Sequence, residues 1–123
     1  MSTEKRKFLR IEPSGIMELR DLDPDRDILD VIHDELDGGF FEIVHCRTLP
    51  RKYLMLVDDE GLLKNLKINT VASVLYTNAI AGTALIMRED FEDGEPDIFG
   101  MTEEDCVELY RKLRGLIVMT EVE

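Results

Sequence analysis

Alternating apolar and polar positions open the chain. Lys7-Phe8-Leu9-Arg10-Ile11-Glu12 reads as a short strand, Pro13-Ser14-Gly15 as a turn, and Ile16-Met17-Glu18-Leu19-Arg20 as a returning strand. Residues 7–20 are therefore predicted to form a hairpin. The period then changes. Ile28, Leu29, Ile32 and Leu36 fall on one helical face behind Asp23-Pro24. Asp23 suits a cap, Pro24 the first helical position, and Gly38-Gly39 the exit. Phe40 to Cys46 is a second β run. Tyr53-Leu54-Met55-Leu56-Val57 is continuously apolar, which predicts a central strand covered on both faces.

Asp58-Asp59-Glu60-Gly61 predicts a polar turn, and Leu62 to Ile68 an extended segment broken at Asn65. Asn69 or Thr70 can cap a short helix that runs through Asn78 and carries Val71, Val74 and Leu75. Ile80 to Met87 reads as a strand. Arg88 to Gly100 is acidic, holds Gly94, Pro96 and Gly100, and reads as a solvated loop. Thr102-Glu103-Glu104-Asp105 resembles a capping box and starts a last helix, whose stripe is Cys106, Leu109, Tyr110, Leu113 and Ile117. Beyond Gly115, the run Leu116-Ile117-Val118-Met119 suits helix packing, a final strand or an interface equally. The order β-β-α-β-β-(β)-α-β-α predicts an α+β fold, a mostly antiparallel sheet with helices packed on one face. One domain is expected over residues 7–119, between short tails at 1–6 and 120–123.

Composition narrows the function. The chain has 123 residues, 44% of them hydrophobic, enough for one real core. Its net charge is −12, and 17 of its 27 acidic residues fall within residues 21–37 and 89–105. Such a surface disfavours direct binding of DNA, RNA or anionic lipid. It fits solubility, a basic protein partner, or mimicry of nucleic acid. No run approaches the ~18 apolar residues of a membrane span. No apolar segment of a secretory signal follows the basic start. Cys46 and Cys106 sit in apolar segments, which predicts buried free thiols and a cytoplasmic setting.

The candidate chemistry is sparse. Asp21, Asp23, Asp25 and Asp27 alternate, but a calcium loop needs Gly at its sixth position and Glu at its twelfth. Those positions hold Arg26 and Ile32 in one frame, Ile28 and Asp34 in the other. His33, His45 and the two cysteines have no zinc spacing, so no metal is expected. His45 and Cys46 are neighbours on a strand and point to opposite faces, which prevents a base–thiolate pair. The glycines form no phosphate loop, and no serine sits in a nucleophile elbow. Neither catalysis nor a cofactor is expected. Arg47, Arg51, Lys52, Lys64 and Lys67 could hold an anion if the fold gathered them; otherwise they neutralise the acidic blocks.

Residues 53–86 also carry a resemblance. Tyr53 to Val57, Asp59-Glu60-Gly61, Leu66-Lys67-Ile68-Asn69 and Ile80 to Ile86, with a short helix between the last two, resemble family 3846 of the domains of unknown function. These are short proteins of bacteria and their phages. The opening hairpin, the first helix and the closing helix extend the likeness over residues 7–113, with Glu60-Gly61, Asn69 and Gly82 carrying most of it. The resemblance implies a small α+β fold and a phage or mobile-element origin, and it brings no activity. The acidic stretch from Glu89 to Asp97 is longer than the pattern.

Three functional readings follow. The first is a non-enzymatic binding module that sequesters a host protein or a nucleotide-like signal and so counteracts host defence. For a small anionic ligand, its residues would be Arg47, Lys52, Tyr53 and Asn69, in a pocket shared across a homo-oligomer. The second is an acidic nucleic-acid mimic that presents Asp25, Asp27, Asp30 and Asp34 to a basic DNA-binding host protein. The third is a small hydrolase or transferase, for which the spacing supplies no acid or metal cluster.

Overall fold

In the computed structural model, described for residues 5–37 and 40–121 with side chains of the last helix through Leu116, six strands form one antiparallel sheet with three helices. The elements are β1 (Lys7–Ile11), β2 (Met17–Asp21), α1 (Ile28–Glu35), β3 (Phe41–Val44), β4 (Tyr53–Asp58), α2 (Thr70–Tyr76), β5 (Ala84–Glu92), β6 (Glu95–Phe99) and α3 (Glu103–Glu121). The strand order is β2-β1-β5-β4-β3. β6 pairs with the far half of β5, from Arg88 to Glu92, where β1 no longer reaches. The α+β class and the antiparallel sheet are as expected.

The helices do not share one face. Successive residues of β4 alternate between two cores. Tyr53, Met55 and Val57 pack with Leu75 of α2 and with Leu109 and Leu113 of α3. Leu54 and Leu56 pack with Val31 and Ile32 of α1, and with Leu36. The unbroken apolar run of β4 requires a cover on each side, and that requirement overrides the simpler one-sided packing. Cys46 is buried in the first core, and burial pushes its thiol up to about 11.

Three local expectations also change. The first helix begins at Ile28, not behind Asp23. The Asp23 carboxylate takes the Asp25 amide at 2.9 Å in a turn, and Asp27 caps instead, accepting from the Leu29 amide at 2.8 Å. Segment 62–68 is coiled rather than extended. Lys64 N–H donates to the Glu60 carbonyl, Leu66 N–H to the Gly61 carbonyl, and Asn65 turns left-handed. Only Ile68 makes a bridge, to Ala81. The acidic stretch after Arg88 is a hairpin, not a loop. Asp93 and Gly94, at φ 53° and 83°, make the two-residue turn that matches strand twist.

The apolar stripes are narrower than predicted, because Leu29, Val74 and Tyr110 face solvent. Residues 116–119 continue α3, so no strand follows Gly115, and the Ile117 side chain lies outside the described residues. Arg6, assigned to a tail by sequence, is held in the fold. Its carbonyl accepts from Leu22, and its guanidinium donates to the Gly100 carbonyl at 2.9 Å.

Candidate functional site

Asp105 lies in the first turn of α3 and is 2% exposed. It closes the predicted capping box. Its carboxylate takes the Thr102 amide at 3.0 Å, and its own amide donates to the Thr102 hydroxyl at 3.1 Å. Arg88 on β5 reaches both carboxylate oxygens, at 2.9 and 3.0 Å. Lys52 Nζ sits 3.1 Å from Asp105 and 3.1 Å from Glu108. Tyr53 is 1% exposed, and its hydroxyl lies 2.7 Å from Glu108 Oε1 and 2.8 Å from the Asp105 carbonyl.

The charges here are mutually satisfied. Burial alone would raise the Asp105 pKa, but bonds from the Thr102 amide, Arg88 and Lys52 outweigh it and hold the carboxyl at about 2. The Tyr53 phenol is raised, first by burial and then by Glu108. Burial works against the Lys52 ammonium, yet its two carboxylate partners raise its pKa overall. Two carboxylates therefore occupy the place beside Lys52 that an anion would take.

The sequence-predicted anion residues do not converge. Lys52 and Tyr53 belong to the network just described. Arg47 is exposed on the β3–β4 connection. Asn69 sits at the other end of the strands, 0% exposed. Its amide nitrogen donates to the carbonyls of Ile11 and Gly82, both at 2.9 Å, while its oxygen accepts from Ala72 at 3.0 Å. Lys64 pairs with Asp58 at 2.8 Å, and Lys67 is exposed beside it.

Asn69 belongs to a fastener. A side-chain carbon on Gly61 would come within 2.6 Å of the Ala81 carbonyl oxygen, and one on Gly82, at φ 88°, within 2.9 Å of Leu66. The Gly82 amide donates to Lys67 O, and the Asn69 amide to Ile80 O, both at 2.8 Å. Gly61, Asn69 and Gly82 thus clamp segment 61–69 onto the end of the sheet. The clamped loop presents Leu62 and Leu63, 57% and 80% exposed.

The first acidic block is largely engaged in local structure. Asp27 caps α1, Asp34 pairs with Arg26, and Glu35 receives Arg20 at 3.0 Å; Asp25 and Asp30 are exposed. The second block has a different geometry. On the β5–β6 hairpin, Asp90 stands opposite Asp97 and Glu92 opposite Glu95. Directly opposed residues share a face, so four carboxylates line one side and Phe91 with Pro96 the other. The sequence showed these acids but not their pairing, although Asp93-Gly94 was the available hairpin signal.

Glu42 on β3 was not singled out by sequence, and the structure gives it a setting. A groove of about 290 Å³ beside β3 is lined by Glu42, Asp59, Leu62, Leu63 and Ala79–Ala81, among others. No His, Cys, Asp and Glu side chains among the described residues group to hold a metal ion. No helix among them is long and apolar enough to cross a membrane.

These features define a small α+β domain with an antiparallel sheet between two helical layers. The chain belongs to the family described as Domain of unknown function (DUF3846), which it matches over residues 6–114. No curated protein matches it. Among solved structures it is similar to part of one described as the small RNA methyltransferase HEN1, with 15% identity and a TM-score of 0.57. That likeness covers 85% of this chain and 16% of the other, and it is a likeness of fold alone.

Proposed function

We propose that the chain is a non-enzymatic binding module of phage or mobile-element origin that sequesters a basic host protein in the bacterial cytoplasm, in the service of counteracting host defence. One observation carries this reading: the fold pairs Lys52, Lys64 and Arg88 with carboxylates and leaves Glu92, Glu95 and Asp97 of the hairpin tip without a cation among the described residues. Arg88 also reaches Asp90 at 3.7 Å, whereas Asp97 opposite Asp90, and Glu92 opposite Glu95, make no ion pair among the described residues. Opposed like charges weaken a hairpin, and a cationic partner would relieve that repulsion. The same neutralisation weighs against a small anion beside Lys52 and Tyr53. The exposed acids of the mimic reading, Asp25 in the turn before α1 and Asp30 on that eight-residue helix, add to the negative surface.

The test is affinity capture from host lysate at low and high salt, with wild type and with a variant carrying Asp90→Asn, Glu92→Gln, Glu95→Gln and Asp97→Asn. A partner retained at low salt, released at high salt and lost by the variant is the expected result. A nucleotide-like molecule released from the denatured protein, with no salt-sensitive protein captured, would replace this reading with the small-ligand one.

A further inference from the structure

We infer that the open edge of β3 is a docking site for an extended, basic segment of a partner protein, which adds to the sheet as a further antiparallel strand. The inference rests on the basic-partner reading and adds to the hairpin acids a second place of contact, with a binding mode. Among the described residues β3 ends the strand order and pairs only with β4. The Asp59 amide donates to the Phe40 carbonyl, which fixes the phase of that ladder. Glu42 and Val44 then bond to β4, and the backbone groups of Phe41 and Ile43 point to the open side. Ile43 is 43% exposed. Neither proline nor an outward-facing lysine guards this edge.

The groove beside the edge specifies the occupant. Its walls are Leu62, Leu63 and Ala79 to Ala81, and its rim carries Glu42 and Asp59. Neither carboxylate makes an ion pair among the described residues, whereas Asp58 beside them is paired with Lys64. Apolar walls under carboxylates that make no ion pair suit a lysine or arginine, whose hydrocarbon stem is buried while its charged end reaches the acids. A residue directly opposite Glu42 shares its face, so the cation belongs at that position of the incoming strand. Its neighbours then lie beside Phe41 and Ile43 and are apolar. The opposite edge of the sheet differs. Beside β2, Arg20 is matched by Glu18 and Glu35, and Lys7 by Asp21. The clamp of Gly61, Asn69 and Gly82 holds the groove wall in place before any partner arrives, which lowers the ordering cost of binding.

The probe is a fluorescent peptide, Lys-Val-Lys-Val-Lys-Val, titrated into the full chain. Two further peptides are N-methylated, one at the valines and one at the lysines. Valine amides are the donors to Phe41 and Ile43, so methylating them should weaken binding about tenfold or more, while methylating the lysines leaves it nearly unchanged. Ile43→Pro removes an outward N–H without touching the β4 ladder and should lose affinity to a similar degree. Glu42→Gln, at an exposed position, should weaken binding a few-fold and flatten its salt dependence. Equal binding of the two methylated peptides, or no saturable binding of the parent peptide, would overturn strand docking. So would a dimer by light scattering that Ile43→Pro dissociates, since a second copy would then hold the edge. None of these results bears on salt-sensitive capture of a host protein, whose own test stands apart.

Discussion

The base and the tip of the β5–β6 hairpin lie a few residues apart and treat negative charge in opposite ways. At the base, Asp105 is buried and receives Arg88, Lys52 and the Thr102 amide. At the tip, Asp90, Glu92, Glu95 and Asp97 stand in opposed pairs; Arg88 reaches Asp90 at 3.7 Å, and the other three make no ion pair among the described residues. Buried charge survives only with partners, so the base is held by the fold. Exposed charge is screened by water and salt, so the tip tolerates repulsion at small cost. The difference teaches that acid content alone says little about role, because Asp105 and Asp97 belong to one block of the sequence.

The largest effect is expected at the base. Asp105→Ala leaves Arg88 and Lys52 without their shared anion and should cost about 3–5 kcal/mol, read from the urea midpoint. A cost under about 1 kcal/mol would make the base no different from the tip. Acid comes next. The Asp105 pKa falls from an ordinary 3.8 to about 2 on folding. A lowered pKa stabilises the fold above the unfolded value, and that contribution is lost as pH falls from about 4 through 2. The loss should be about 2 kcal/mol between pH 5 and pH 2, and absent from the Asp105→Asn variant.

At the tip, Gly94→Ala places a side chain at φ 83° and should cost about 1 kcal/mol. The expected sign is faster amide exchange across residues 90–97 with little change in the global urea midpoint, since a hairpin end opens locally. The smallest effect is a gain. Asp97→Lys sets a cation opposite Asp90 and should stabilise by roughly 0.2–1 kcal/mol at low salt, and less at high salt. Destabilisation by Asp97→Lys would mean that the tip, too, depends on its negative charge.

Wherever one residue type has one local use, the sequence was a good guide. The first hairpin, the Asn69 cap, the Thr102–Asp105 capping box and the doubly covered β4 all depend on near neighbours or on simple period. Segment 62–68 misled because apolar residues without alternation suit several backbones, and the Gly61 and Gly82 contacts that coil it come from distant positions. The hairpin at 88–99 was hidden by its acidity, which reads as loop unless the Asp93-Gly94 turn is given weight. The placement of α1 on the opposite face from α2 and α3 is a tertiary matter that no local pattern encodes. Of the candidate site, Lys52 and Tyr53 were legible as neighbours, but their neutralisation by Glu108 and Asp105 joins residues 52 or more positions apart. The β3 groove needed the coiled loop to exist before Glu42 acquired a context.

Cys46 gives the molecule an internal clock. With its thiol at about 11 and its sulfur packed against Met55, on the order of one copy in ten thousand carries a thiolate at pH 7 while folded. Alkylation of Cys46 therefore waits for the sheet to come apart. The rate at which a thiol reagent consumes it would measure the lifetime of the native state without an added label, in a chain that has no tryptophan to report on its own unfolding.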